Sequence, residues 1–123
     1  MEQFGSAYRW REAVQKGELE MTDHSHLTMA QRFLAGSLGL PFMPSKSLLG
    51  SDILASHKRS RRKSHEVIEN PWNSGERVLL LPALNPDVSL IHAQKSDELG
   101  NIMIEGVLAH EPELARASHS VVV

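Results

Sequence analysis

Two polar side chains delivered at the end of an apolar run are the clearest chemical signal in this chain. Val88, Leu90 and Ile91 give way to His92 and Gln94, a turn signal spans Asp97 to Asn101, and a second apolar run covers Ile102 to Ile104. The pattern predicts strand, exposed tip, strand. Polar groups placed at the end of a buried strand are how α/β folds build sites. His92 therefore has two readings, a pocket-lining group or a structural histidine bonded to nearby backbone.

The other chemistry-bearing residues point less sharply. His24 and His26 form a His-x-His pair that could bind a metal from a strand. No further ligand stands at a recognisable spacing, and Asp23 is adjacent rather than opposed, so both are read as loop histidines and no metal is expected. Lys58-Arg-Ser-Arg-Arg-Lys63 holds five cations in six residues, enough to attract phosphates or nucleic acid. No aromatic residue interleaves it, so base stacking is unsupported. Residues 56–65, with His57 and His65, are expected to form a solvated basic loop. Gly36-Ser-Leu-Gly39 and Ser47-Leu-Leu-Gly50 match no nucleotide-binding fingerprint, and no Gly-x-Ser-x-Gly elbow occurs.

The elements that must position these groups follow from periodicity and punctuation. Tyr8 to Lys16 predicts a short amphipathic helix ended by Gly17. Thr28-Met-Ala-Gln31 fits a capping box for a second helix, with Ala30, Phe33, Leu34 and Leu38 on its apolar stripe and Gly36 and Gly39 at its end. Leu40 to Ser47 carries Pro41 and Pro44, which forbid a central ladder strand and favour an extended loop. Val78 to Leu81, 88–93 and 102–105 are strand candidates, and Pro112 opens a helix through Ala117. Short apolar strands with interspersed helices predict an α/β class.

Length and composition bound the rest. At 123 residues the chain fits one domain, 1–123. Aromatics make up only 5%, so the core must rest on aliphatic side chains and Met. A net charge of −2 points to neither nucleic acid nor membrane. The absence of cysteine excludes a disulfide framework, a thiolate nucleophile and a Cys-type zinc site, and is compatible with the cytoplasm. No apolar run approaches the roughly 20 residues of a membrane span. Val121-Val-Val123 reads as a buried parallel strand cut short, and both ends are read as incomplete.

Three blocks then resemble, in order, the A subunit of the class I coenzyme A-transferases. The first is Phe4 to Gly39, with Gly17-Glu-Leu-Glu20 and the spacing of Leu27, Ala30, Arg32, Ala35 and Gly36. The second is Gly39-Leu-Pro-Phe-Met-Pro-Ser-Lys-Ser-Leu-Leu-Gly-Ser-Asp52, similar to the family's G-x-P-F-x-P-x-R-S-x-x-G-T-D loop. The third runs from Leu81-Pro-Ala-Leu-x-Pro-Asp-Val through Ile91-His-Ala-Gln94 to Gly100-Asn101. The glutaconate CoA-transferase branch is the nearest in pattern. The family's glycine-rich segment near the N-terminus of the A subunit has no counterpart, so the chain resembles the middle of that subunit.

That resemblance implies an open parallel-sheet α/β fold shared with sugar-phosphate isomerases. It implies ping-pong transfer of coenzyme A between an acyl-CoA and a free carboxylic acid, with a nucleophilic glutamate on the partner B subunit of a hetero-oligomer. No catalytic residue is then expected here. Coenzyme A thioester is the substrate and no cofactor is bound. The Pro41 to Ser47 loop is expected to line the cleft, with Phe42 and Met43 toward the acyl chain and Ser45, Lys46 and Ser47 toward a carboxylate. His92 and Gln94 are supporting cleft residues. Lys46 stands where many members carry Arg, which exchanges a bidentate fork for a point charge. The alternatives are the branch that hydrolyses or ring-cleaves CoA thioesters, and a non-catalytic polyanion-binding module using the basic block.

Overall fold

The computed structural model describes residues 7–57 and 63–123. Helix α1 (Tyr8–Gln15) and helix α2 (His26–Ser37) are followed by strand β1 (Phe42–Ser45), helix α3 (Asp52–His57), β2 (Glu66–Glu69), β3 (Arg77–Pro82), β4 (Val88–Leu90), β5 (Lys95–Ser96), β6 (Ile102–Met103), helix α4 (Glu111–Ala117) and β7 (Ser120–Val122). The α/β class stands. Parallel pairing joins β4 to β7, while β1-β3-β2 and β5-β6 are antiparallel.

Both N-terminal helices stop at a glycine for the same reason. Gly17 (φ 73°) and Gly39 (φ 68°) adopt the left-handed conformation that lets the chain turn back on the last carbonyls. Gly17 N–H donates to Val14 O and Glu18 N–H to Ala13 O. Gly39 N–H donates to Gly36 O and Leu40 N–H to Ala35 O. Gly36, expected at the helix end, is the penultimate residue of α2 and is buried. It is there for closeness rather than for turning: a Cβ on it would meet Leu84 O at 2.6 Å and the Ala117 methyl at 3.1 Å. Helices α2 and α4 thus approach through Gly36 and Ala117.

The start of α2 also differs from expectation. Ser25, not Thr28, is the N-cap, and its hydroxyl accepts from Thr28 N–H at 3.2 Å. Thr28 is fully buried and donates its own hydroxyl to Ser25 O at 3.1 Å. A serine three residues upstream meets the orphan donor first, and this allows Thr28 to pack inside.

The Pro41 to Ser47 segment contains a strand where a loop was expected. Strand β1 lies at the edge of its sheet, where a proline without an N–H costs no central rung. Its register against β3 pairs Phe42 with Pro82, Met43 with Leu81, Pro44 with Leu80 and Ser45 with Leu79. Leu79 and Leu81 are fully buried and form the core with Phe33, Ala35, Ile91 and Ala117.

Two further expectations are corrected. His57 closes α3 and is only 4% exposed, so it is no solvated loop residue. Ser64 and His65 are half-buried ahead of β2, and residues 58–62 of the basic block lie outside the described residues. The terminal valines do form a parallel strand, β7, but its three residues are exposed. Parallel strands are buried on both faces only inside a covered sheet. Here β4 and β7 pair only with each other among the described residues, and Leu90 remains 77% exposed.

Candidate functional site

Strand alternation sorts the expected cleft residues onto two faces. Met43 and Ser45 share the face of buried Leu79 and Leu81, and Ser45 is 6% exposed. Phe42 shares the opposite face with Leu80 and Pro82 and is 45% exposed. That open face carries a groove of about 230 Å³, lined by Pro41, Phe42, Lys63, His65, Glu66, Leu80 and Pro82. Its floor is apolar, and its polar edge comes from residues ahead of and at the start of β2. Lys63 and Glu66 pair with each other on that edge.

The turn after β1 commits its polar groups locally. The Ser45 hydroxyl accepts from Ser47 N–H at 3.0 Å. The Lys46 ammonium pairs with Glu76, which also accepts from Asn70 Nδ2. The Lys46 and Asn70 hydrogen bonds hold the Glu76 carboxyl below its ordinary value. Leu48 follows with φ 68°, the single described non-glycine residue with positive φ. Its carbonyl accepts from Ser51 N–H at 3.0 Å and Ser51 Oγ at 2.7 Å.

Beside this groove lies a cluster of histidines that joins distant parts of the chain. Arg32 Nη1 stands 3.1 Å from His24 Nε2. A guanidinium can only donate, so that ring nitrogen accepts. Burial first, then the charges of Arg32, His57 and His65, lowers the His24 pKa to about 4, so its ring is neutral at pH 7. Its proton then sits on Nδ1, facing Thr28 Oγ1 at 3.5 Å. The His57 ring lies 5.0 Å from that of His24 and donates from Nε2 to the Asp23 carbonyl. On its other side His57 Nδ1 faces Ser64 Oγ at 3.2 Å and His65 Nδ1 at 3.3 Å. Among the described residues no three His, Cys, Asp or Glu side chains form a metal set.

The segment from His92 to Gln94 is separate from that cluster. His92 is exposed just after buried Ile91, two residues beyond the end of β4. Gln94 Oε1 accepts from Glu105 N–H at 2.8 Å, and Gln94 N–H donates to Met103 O at 3.1 Å. Gln94 thereby closes the β5-β6 hairpin. A second groove of about 330 Å³ runs between this hairpin and α4, lined by Ile102, Ile104, Leu108 and Pro112 among others.

Of the expected site residues, the structure places Phe42 in a groove and brings Ser45, Lys46 and Ser47 into one turn. His65 and Lys63 edge that groove, although by sequence they belong to the basic block. The His57 to Asp23 contact spans 34 positions and has no local sequence signature. Arg32 did carry a signal, as one of the spaced residues of the first matching block.

Comparison with known proteins agrees with this fold. The family model described as coenzyme A transferase matches residues 2–123. The chain is 37% identical over 122 residues to the A subunit of the 3-oxoadipate CoA-transferase of Pseudomonas knackmussii, covering 97% of this chain and 41% of that protein. It is 31% identical over 125 residues to the A subunit of the glutaconate CoA-transferase of Acidaminococcus fermentans, covering 94% and 39%. The crystal structure of glutaconate coenzyme A-transferase from that organism superposes with a TM-score of 0.75 at 27% identity, over 93% of this chain and 41% of that one. The chain therefore spans about two fifths of the length of these relatives. On the family match across nearly its whole length, the chain belongs to the coenzyme A transferase family.

Proposed function

We propose that this chain forms part of the A subunit of a two-subunit CoA-transferase, and that it helps bind a carboxylic acid and its CoA thioester. The observation that carries this reading is the open groove beside the Pro41 to Ser47 segment, in a chain whose relatives include the A subunits of 3-oxoadipate and glutaconate CoA-transferases. Phe42 offers apolar surface to an acyl chain. Met43 and Ser45 support the strand from beneath, and Lys46 and Ser47 occupy the turn that a carboxylate would meet. His92 and Gln94 lie apart from that groove and are read as supporting residues of the wider cleft.

The reaction is a two-stage exchange, with its nucleophile on the partner B subunit. A glutamate carboxylate there attacks the thioester carbonyl and expels the CoA thiolate, leaving an acyl-glutamyl anhydride. The thiolate then attacks the glutamyl carbonyl and releases the first acid, leaving glutamyl-CoA. The second acid reverses both steps. Each stage exchanges one acyl bond for another, so neither redox chemistry nor a further cofactor is required.

The test is to assemble an A subunit containing this chain with a B subunit and to assay CoA transfer from an acyl-CoA to a free acid. Transfer with a borohydride-sensitive glutamyl thioester on the B subunit is expected, and Phe42→Ala should raise the KM for the acid. CoA release by water alone would favour the hydrolytic branch, and no transfer with any acid would end the proposal.

A further inference from the structure

The groove-bearing end of the β1-β3 ladder is short of backbone donors. Pro41 and Pro82 both stand there, and neither has an N–H. A side chain from α2 hydrogen-bonds this end. Arg32, in the second half of α2, donates from Nε to Pro82 O at 3.0 Å. Its own carbonyl accepts from Leu84 N–H at 3.1 Å. Between those two contacts, Ala83 N–H donates to Pro41 O at 3.0 Å. Phe42 is the register partner of Pro82. One arginine is thus one step removed from the first two residues of the Pro41 to Ser47 segment.

A guanidinium on a flexible stem would not hold that geometry by itself. His24 fixes it, because Nη1 and Nε are engaged at once by an imidazole acceptor and a carbonyl, and two bonds from one plane define its orientation. The ring is fixed in turn through the Asp23 carbonyl, held by buried His57, and through Thr28 and the Ser25 cap. Gly36, one turn further along α2, lets the helix lie against Leu84 closely enough for the arginine to reach.

We propose that Arg32, seated by His24, is the positioning residue for the Pro41 to Ser47 segment and so sets the placement of the acid substrate without touching it. This rests on the reading of that segment as substrate-binding. A lysine at 32 supplies a point charge that cannot hold the carbonyl and the imidazole in one plane. A glutamine at 24 keeps an acceptor at the reach of Nε2 for Nη1, whereas leucine removes it.

The experiment uses the assembled two-subunit enzyme carrying Arg32→Lys, His24→Leu or His24→Gln. Two readouts are taken, amide hydrogen exchange of the peptide covering Pro41 to Ser47 and steady-state kinetics for the free acid. Arg32→Lys and His24→Leu are expected to speed exchange in that peptide. They should raise the KM for the acid on the order of tenfold with kcat nearly unchanged. His24→Gln should restore both readouts toward the parent values. Unchanged exchange and KM in Arg32→Lys would overturn the proposal. So would a loss of kcat and KM together that simply tracks a falling Tm. Should the parent complex show no transfer at all, the proposed function fails, and exchange alone decides whether Arg32 positions the segment.

Discussion

Gly36 on α2 and Leu84 after β3 lie so close that a Cβ added to the glycine would stand 2.6 Å from the Leu84 carbonyl oxygen. The atom in the way is backbone and cannot swing aside as a side-chain tip can. Gly36→Ala is therefore expected to destabilise by about 1–3 kcal/mol, as overpacking generally does. That sign opposes the usual gain from replacing a helical glycine. Urea denaturation of the two proteins measures it, and equal midpoints would show that α2 stands further from Leu84.

The Ser25 cap is the second case. Ser25→Ala removes the acceptor for Thr28 N–H and should cost about 1 kcal/mol. Ser25→Asp keeps an acceptor there and should retain most of that stability. Thermal denaturation of the pair separates a lost cap from lost packing.

His24 makes stability depend on pH. Its folded pKa is about 4 against an ordinary value of 6.5, so between those values the unfolded chain binds the additional proton. Its contribution is intact above pH 6.5, falls as pH drops from 6.5 to 4, and is fully lost below 4. With the partial exposure of the ring discounted, the loss is about 1–2 kcal/mol. Denaturation midpoints at pH 7, 5.5 and 4 trace it. Replacing His24 with Asn should flatten the profile over that window, and an NMR titration of the ring near 6.5 would refute the assignment.

Asp97 organises the β5-β6 turn. Its Oδ1 accepts from Leu99 N–H at 2.9 Å and Asn101 N–H at 2.8 Å, and its Oδ2 accepts from Asn101 Nδ2 at 2.7 Å. The Asn101 side-chain bond leads the contacts that hold the carboxyl below its usual pKa. Asp97→Ala should speed amide exchange from Lys95 to Met103 while leaving β1-β3 unaffected. Uniform exchange across both regions would mean that the hairpin is not an independent unit.

Much of the scaffold is legible in the sequence because it is written in local chemistry. Gly17 and Gly39 announce their helix ends, Pro112 the first turn of α4, and Val78 to Leu81 a strand, which the fold makes the central one of its sheet. The misreadings share a cause, which is that the deciding partner is remote in sequence. Gly36 does fall in the last turn of α2, but its reason, the closeness of Leu84 and Ala117, is remote in sequence. Pro44 argues against a strand until its position at a sheet edge removes the objection. His57 resembles part of a solvated run because nothing local shows that the Asp23 carbonyl covers it. Around the groove, the exposure of Phe42 follows from alternation along β1, whereas the edge at Lys63 and His65 depends on how β2 pairs with β3.

Leu48 carries a consequence for how this region can change over time. A leucine at φ 68° sits where most side chains meet their own backbone, at a cost on the order of 1 kcal/mol. Glycine would remove that strain but would multiply the conformations open to the unfolded chain. The two effects oppose each other, so a mutation there should be nearly silent in overall stability yet loosen the turn after Ser47. Position 48 is thus a place where sequence drift alters the mobility of the turn beside the groove without registering in the melting temperature.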